Sequence, residues 1–435
     1  VGIGQWLLVL GYFLAFLAII IGYTWTIVLY CLGGSYLREM RAQPRGDEAD
    51  YLWVFLVPAL NEGVTIADSV ARLRSAQATH KVILVINDGS EDDTAEVLDR
   101  IAGPDLEVFT RTAPNARQGK AVALNAAFRH VQEEVLRRPG MGRWHPSNVI
   151  FGIVDADGRL ADEAPSLVAR HFDKPRVGGV QVGVAIYNVE SYLTRMQALE
   201  FQIFGGLFQV GRSRWGAAFM GGNGQFNRMS ALSSVASAEG PWSRYLTEDQ
   251  ELGLRLLERG WLGEQEPLTH VAQQGVNKLR PLYRQRTRWM QGNLEVFADV
   301  RRLYSHHLLG WRRMDALVTL LQPALQIIVG VAVIAAVVLA VGFNVPYLPL
   351  DNFWLTIFFI QLSFGPTFLG VLVVARGRGP AGVLRALVVA LPYICYTWIM
   401  WPVVFKGLWA RLRGNTVWSK TAREAIAPVD AGVTT

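Results

Sequence analysis

The chain has 435 residues, of which 51% are hydrophobic and only 18% charged, with a formal net charge of +6. That length suggests one soluble domain beside a membrane region, or two to three domain-sized units. The positive balance suits an anionic membrane surface and anionic substrates equally, whereas the clustered basic and stacking aromatic residues of a nucleic-acid site are missing outside the apolar runs, which excludes nucleic acid as a partner.

No charged side chain precedes Arg38. A helix needs about 20 apolar residues to cross a hydrocarbon core, so 1–37 reads as an N-terminal transmembrane helix. It is too long for a signal peptide and lacks a basic n-region and a cleavage site. Residues 38–275 have ordinary globular composition and are numerous enough to bury a core. Residues 276–314 read as interfacial amphipathic helices. Three transmembrane helices are expected within 315–410, from charge-free runs at 316–350, 352–375 and 386–405, and 411–435 reads as a tail. No cyclic-dinucleotide receptor domain is expected after the last span. Cys31 and Cys395 both fall in spans, so neither a disulfide framework nor a zinc site is indicated, and the histidines show no ligand spacing.

Arg38, Arg41 and Arg45 follow the first span, and Arg301, Arg302, Arg312 and Arg313 precede the second. Basic flanks mark the cytoplasmic side. The soluble domain is therefore expected in the cytoplasm, on a multi-pass protein of the plasma (inner) membrane. The loop at 343–352 has no Lys or Arg and fits the outside. Three spans would leave the tail outside too, against the charge of Arg411, Arg413 and Lys420. Either the tail breaks the rule or one segment lies in the interface.

Within the soluble part, 51–58 (YLWVFLVP) is a short apolar run ending in Pro, which reads as a buried strand. Lys81–Asn87 is a second strand, closed by Asp88-Gly89-Ser90, and Ser90 or Asp92 can cap a helix beginning near Asp93. Leu106–Thr110 and 149–154 are two more strands, separated by a helical stretch at 119–136. Such alternation implies a largely parallel α/β sheet with ligands at the carboxyl ends of its strands.

Three polar groups stand out. Asp155-Ala156-Asp157-Gly158 ends the fourth strand. Alternate carboxylates on a short loop can hold a hard divalent cation, Mg2+ or Mn2+, which can bridge a diphosphate; the alternative is a turn with solvated Asp residues. Thr247-Glu248-Asp249 opens an apolar helix-like run and reads either as a helix N-terminus or as a general base for an attacking hydroxyl. Gln285-Arg286-Thr287-Arg288-Trp289 lies just before the membrane. It reads as an interfacial amphipathic helix with snorkelling arginines, as an Arg that holds a pyrophosphate beside a Trp that faces a sugar ring, or as both.

VPALNE (57–62), INDGSEDDT (86–94), NARQGKAVALNAA (115–127), DADG (155–158), TEDQELGLRL (247–256) and QRTRW (285–289) occur in this order. Together they resemble the processive family 2 glycosyltransferases, the cellulose, chitin, hyaluronan and poly-N-acetylglucosamine synthases, over about 50–300. The resemblance implies a Rossmann-like GT-A domain beside an α-helical transmembrane region, and inverting transfer by single displacement from a UDP-sugar to a growing polysaccharide. It puts Pro58, Asn61, Glu62, Asp88 and Lys120 near the nucleotide, with Asp88 on the uracil. It puts Asp155 and Asp157 on the diphosphate and metal, and Arg288 on the departing diphosphate. Asp249 would be the base, with Glu248 next to it as the second candidate. Trp289 and Gln285 would line the acceptor entrance. The segment GGNGQF (221–226) departs from the family, because cellulose synthases have Cys-Gly-(Ser/Thr) near there. Gly222 could allow close approach to an acceptor and Asn223 or Gln225 could bond a sugar, or the segment is a tight turn between strands.

Accessory export proteins are further partners that such an activity admits. Trp398, Trp401 and Trp409, with Gln322, Gln326 and Gln361 in otherwise apolar runs, suggest a path for a growing chain, or interfacial aromatic belts and helix contacts. Two rival functions remain at this level. One is transfer of a single sugar to a lipid. The other is a transporter or channel with a regulatory domain, against which the charge-free runs speak.

Overall fold

The structure, a computed structural model, describes residues 3–343, 353–375, 378–414 and Glu424. The first apolar run forms one long helix, α1 (Ile3–Ala42). After it β1 (Leu52–Ala59), α2 (Ile66–Ser75), β2 (Lys81–Asn87), α3 (Thr94–Arg100), β3 (Leu106–Thr110), α4 (Lys120–His130) and β4 (Val149–Ile153) alternate. β1 pairs in parallel with β2 and β4, and β2 with β3. The expected strand at 51–58 is shifted by one residue at both ends, that at 149–154 is one residue shorter, and the other two match. β1 is apolar throughout because both faces are covered. Trp53, Phe55 and Val57 pack with Ile66, Val70 and Leu73 of α2, while Leu52, Val54 and Leu56 pack with Leu124 and Phe128 of α4.

The second half of the domain is less regular. It comprises β5 (Arg159–Leu160), α5 (Ala164–Phe172), β6 (Val177–Ile186), α6 (Tyr192–Ile203), α7 (Val210–Ser213), β7 (Gln225–Arg228), α8 (Met229–Val235), α9 (Glu248–Glu258) and β8 (Leu262–Gln273). One eight-stranded sheet results, in the order β3-β2-β1-β4-β7-β6-β8-β5. β7 runs antiparallel between β4 and β6, and β6 is parallel to β8. None of β5–β8 was readable from periodicity. β8 carries Glu264 and Glu266, which look like surface residues and are buried. His171 of α5 bridges them at 2.6 and 2.9 Å, and Arg170 reaches Glu266 at 2.6 Å and Met40 O at 2.8 Å. Paired buried charge of this kind is tolerated where isolated charge is not, and here it also ties the end of α1 to the sheet.

The chain continues through α10 (Leu279–Phe297), α11 (Gly310–Phe343), α12 (Phe353–Leu372), α13 (Gly379–Met400) and α14 (Pro402–Leu412). Among the described residues, three helical segments are long and apolar enough to cross a membrane: Leu10–Ala42, Gly310–Gly342 and Gly379–Leu412. The span expected at 352–375 forms α12 and the helical turn 373–375 after it, and Phe364–Ala375 is a shorter apolar stretch across the two. Nearly all of the loop at 343–352 and of the tail after Gly414, Lys420 included, lies outside the described residues.

Candidate active site

The carboxyl ends of β1, β2 and β4 open on a cavity of about 1320 Å³. Of the candidates for catalysis and for nucleotide, metal and acceptor binding, all but Asn61 and Gln225 line it: Pro58, Glu62 and Asp88; Lys120; Asp155 and Asp157; Gly222 and Asn223; Glu248 and Asp249; Gln285, Arg288 and Trp289. Asn61 sits behind the wall with φ 55°, its N–H on Ser90 Oγ at 3.0 Å and its Oδ1 accepting from Glu91 N at 2.8 Å. It staples the β1 loop to the β2 loop.

Lys120 begins α4 directly after Gly119, whose φ of 109° only glycine holds without strain. Its ammonium lies 2.6 Å from Asp155 Oδ1. Burial works against that charge, but the carboxylates of Asp155, Glu248 and Asp249 outweigh it and hold the ammonium above its ordinary pKa. Asp88 is buried against Arg111, 2.5 Å away. Burial raises the Asp88 carboxyl, and Arg111 offsets this only in part. Sequence reasoning missed Arg111; its position just past β3 was the available signal. Arg117, which also lines the cavity, stood in the NARQGK motif without a role.

Asp157 Oδ2 accepts from Gln274 N at 2.9 Å. The backbone N of Asp155 donates to Asn223 Oδ1 at 3.0 Å, and Asn223 Nδ2 donates to Gln273 at 2.8 Å. Asn223 thus orients the acidic loop. The segment is a turn that leads into β7, with Gly222 and Gly224 at φ 79° and 74°, and Gln225 Oε1 accepts from Gly222 N at 3.3 Å within it. Among the described residues no group of three or more His, Cys, Asp or Glu side chains could hold a metal.

Glu248 and Asp249 open α9. Thr247 is the N-cap by position but makes no side-chain capping bond, and Asp249 Oδ1 accepts from Gln250 N at 2.8 Å. A Cβ at Gly222, whose φ is 79°, would stand 2.9 Å from Asp249 Oδ2 and 3.8 Å from Lys120 Nζ. The acidic pair therefore meets the ammonium beside a backbone with no side chain. Burial first, and the Asp249 charge second, push the Glu248 carboxyl up to about 7, with Lys120 opposing. Burial also raises Asp249, against the Gln250 amide and Lys120. A carboxylate tuned towards neutrality suits proton transfer.

QRTRW lies on α10, and its arginines are not all at the surface. Arg286 is 7% exposed and does not snorkel. Its Nη2 donates to Glu200 of α6 at 2.6 Å, and Tyr396 of α13 donates to the same carboxylate at 2.7 Å. The guanidinium covers one face of Trp289, 4.0 Å from the ring centre. Beyond Trp289 the cavity continues between Tyr23 and Thr26 of α1, Gln322 and Gln326 of α11, and Trp398 and Trp401. Gln361 instead bonds Tyr23 at 2.6 Å.

The sequence matches the profile of glycosyl transferase family group 2 over 150–371. It also matches the glycosyl transferase family 2 profile over 54–235. The chain is a family 2 glycosyltransferase. A β-monoglucosyldiacylglycerol synthase of Trichormus variabilis is 28% identical to this glycosyltransferase over 300 residues, 68% of this chain and 60% of that protein. A poly-β-1,6-N-acetyl-D-glucosamine synthase of Staphylococcus aureus is 29% identical over 245 residues, 56% of this chain and 54% of that one. The glycosyltransferase thus spans about 54–63% of the length of the curated relatives it matches. A mannosyltransferase of Pyrobaculum calidifontis, solved with GDP-Man and Mn2+, superposes with a TM-score of 0.57 at 17% identity, covering 92% of this chain and 99% of that one. That likeness shows the fold, a GT-A-like α/β domain.

Proposed function

We propose that this glycosyltransferase extends a β-linked polysaccharide from a UDP-sugar, UDP-glucose or UDP-N-acetylglucosamine, on the cytoplasmic face of the membrane, and passes the product between its membrane helices. The observation that carries this reading is the single cavity that joins Asp155, Asp157 and Asp249 to Gln322, Gln326 and Trp401. At about 1320 Å³ it exceeds the roughly 300–1,000 Å³ typical of one small-molecule site. In this reading 38–275 is the catalytic domain and 276–314 its joint to the membrane. Basic flanks of α1 and α11 favour a cytoplasmic domain.

The acceptor hydroxyl oxygen attacks the anomeric carbon while the bond from that carbon to the diphosphate breaks. The hydroxyl proton passes to Asp249, or to Glu248 beside it, and the diphosphate leaves with the bonding electrons. Attack opposite the leaving group inverts an α-linked donor to a β product. Lys120 and Arg288, which line the same cavity, meet the charge that develops on the leaving group. Asp155 and Asp157 fit a Mg2+ or Mn2+ ion, because such ions bind through one or two carboxylates and complete their shell with substrate phosphates and water. When bound, the ion neutralises charge on the diphosphate. The Mn2+ in the mannosyltransferase of similar fold supports that assignment.

A second reading is transfer of one sugar to a membrane lipid. The apolar Ile19, Leu325, Val329 and Phe364 in the membrane half of the cavity favour it, as does the named activity of the Trichormus relative. One experiment separates the readings. The protein in lipid nanodiscs is given radiolabelled UDP-sugars, with GDP-sugars alongside, and the product is split into organic-soluble lipid and polymer. Polymer from a UDP-sugar is expected. A product confined to one sugar per lipid would remove processivity, and turnover of GDP-sugars alone would remove the UDP assignment.

A further inference from the structure

Gln225, Gln181 and Gln265 are direct register partners across β7, β6 and β8. Paired residues on neighbouring strands project to the same face, so three amides stand in a row. Two are committed to the loop before β7. Gln225 Oε1 accepts from Gly222 N at 3.3 Å, while Gln181 Oε1 accepts from Gly221 N at 2.8 Å and its Nε2 donates to Asn223 O at 2.8 Å. Together they fix the backbone that lies against Asp249.

Gln265 differs. Ser213 Oγ holds its backbone N–H at 2.7 Å, and Gln265, only 2% exposed, is among the residues that line the cavity. Its Oε1 is buried and has no hydrogen-bond partner among the described residues. A buried amide oxygen without a donor is unfavourable unless something supplies one. The oxygen is an acceptor only, so what completes it must carry an O–H or N–H. Acyl chains carry neither.

Gln265 stands one strand further than Gln181 from the Gly222–Asp249 contact, beside α7 and Gly205, whose Cβ would lie 3.8 Å from Gln265 Nε2. α7 and the π-helical segment 204–209 before it pack on α1, so this is the side from which the cavity enters the membrane helices. We propose that Gln265 Oε1 is part of the acceptor subsite and takes a hydrogen bond from a hydroxyl or acetamido N–H of the acceptor's terminal sugar. The proposal rests on the reading above, that the acceptor ends in a sugar.

The test uses the full chain in nanodiscs with hexyl β-glucoside and hexyl 2-acetamido-2-deoxy-β-glucoside as acceptors. Gln265→Met and Gln265→Leu keep the volume and remove the oxygen. Each is expected to raise the half-saturating glycoside concentration about five-fold, the value of one neutral hydrogen bond, with UDP affinity unchanged as the check on folding. A series of singly deoxygenated glycosides should contain one that the wild type binds as weakly as the variants do, and that the variants no longer distinguish. Equal half-saturation for the wild type and both variants would overturn the assignment while leaving the transferase reading intact. A wild type that consumes UDP-sugar but glycosylates neither probe would overturn the sugar-terminated acceptor, and the assignment with it.

Discussion

Lys120 Nζ lies 2.6 Å from Asp155 Oδ1, so the residue that opens α4 neutralises the first carboxylate at the end of β4. The same ammonium lowers the pKa of Glu248, which burial and Asp249 push up to about 7. The base, Asp249 or Glu248, acts only when ionised, so activity should rise with pH as this buried pair ionises, Glu248 at about 7. Lys120→Met removes the charge that favours the ionised form, so the rising limb of the kcat/KM profile should move to higher pH, by about one unit or more. A profile that stays in place would separate Lys120 from the acid–base pair.

Asp249→Asn keeps an oxygen that can accept from Gln250 N, the bond that Asp249 makes at 2.8 Å. It cannot take a proton. Sugar transfer should fall about 10²–10⁴-fold, with UDP affinity close to the parent's, because the lost interaction belongs to the transition state. Retained transfer would pass the role to Glu248.

Asp157→Asn should abolish transfer and weaken UDP binding chiefly when Mg2+ or Mn2+ is present. Calorimetry with and without the ion reads the difference, and transfer that persists in EDTA would exclude the metal.

Gly292 of α10 touches the acidic segment directly: a Cβ there would stand 2.6 Å from Thr247 Cγ2 and 3.0 Å from Thr247 N. Gly292→Ala must therefore displace the residue before Glu248 or shift α10. Misplacement on that scale costs about 10²-fold in rate. The expected signature is a fall in kcat with UDP affinity intact, and an unaltered kcat would show that Thr247 yields freely.

Glu200 carries both Arg286 and Tyr396, joining α6, α10 and α13 through one carboxylate. Glu200→Ala would leave the buried Arg286 guanidinium uncompensated, which costs about 3–5 kcal/mol in comparable cases. Thermal unfolding in detergent should show a clear loss of Tm, smaller for Glu200→Gln. Equal stability of wild type and both variants would mean that water already carries this charge.

Much of this protein was legible as sequence. Three of the four parallel strands, β1, β2 and β4, are short runs of apolar residues between turn signals, and that pattern reflects burial on both faces, a local consequence of a sheet flanked by helices, while β3 is the half-buried edge strand. Charge-free runs gave the long apolar helices, because hydrocarbon excludes charge along a continuous segment. DADG, TED and QRTRW could be named one by one, since each is a contiguous cluster. What the sequence could not contain was distance between segments. Nothing local says that Lys120 meets Asp155, that Arg111 backs Asp88, or that Gly292 abuts Thr247, because these contacts arise only when strand order brings separate loops together. β8 was hidden for a related reason: Glu264 and Glu266 look solvent-facing until His171 and Arg170 arrive to satisfy them. The same holds for Gln265. Three glutamines far apart in the chain become one row through the β7–β6–β8 register, and only the fold shows which of their amides is left to bind something else.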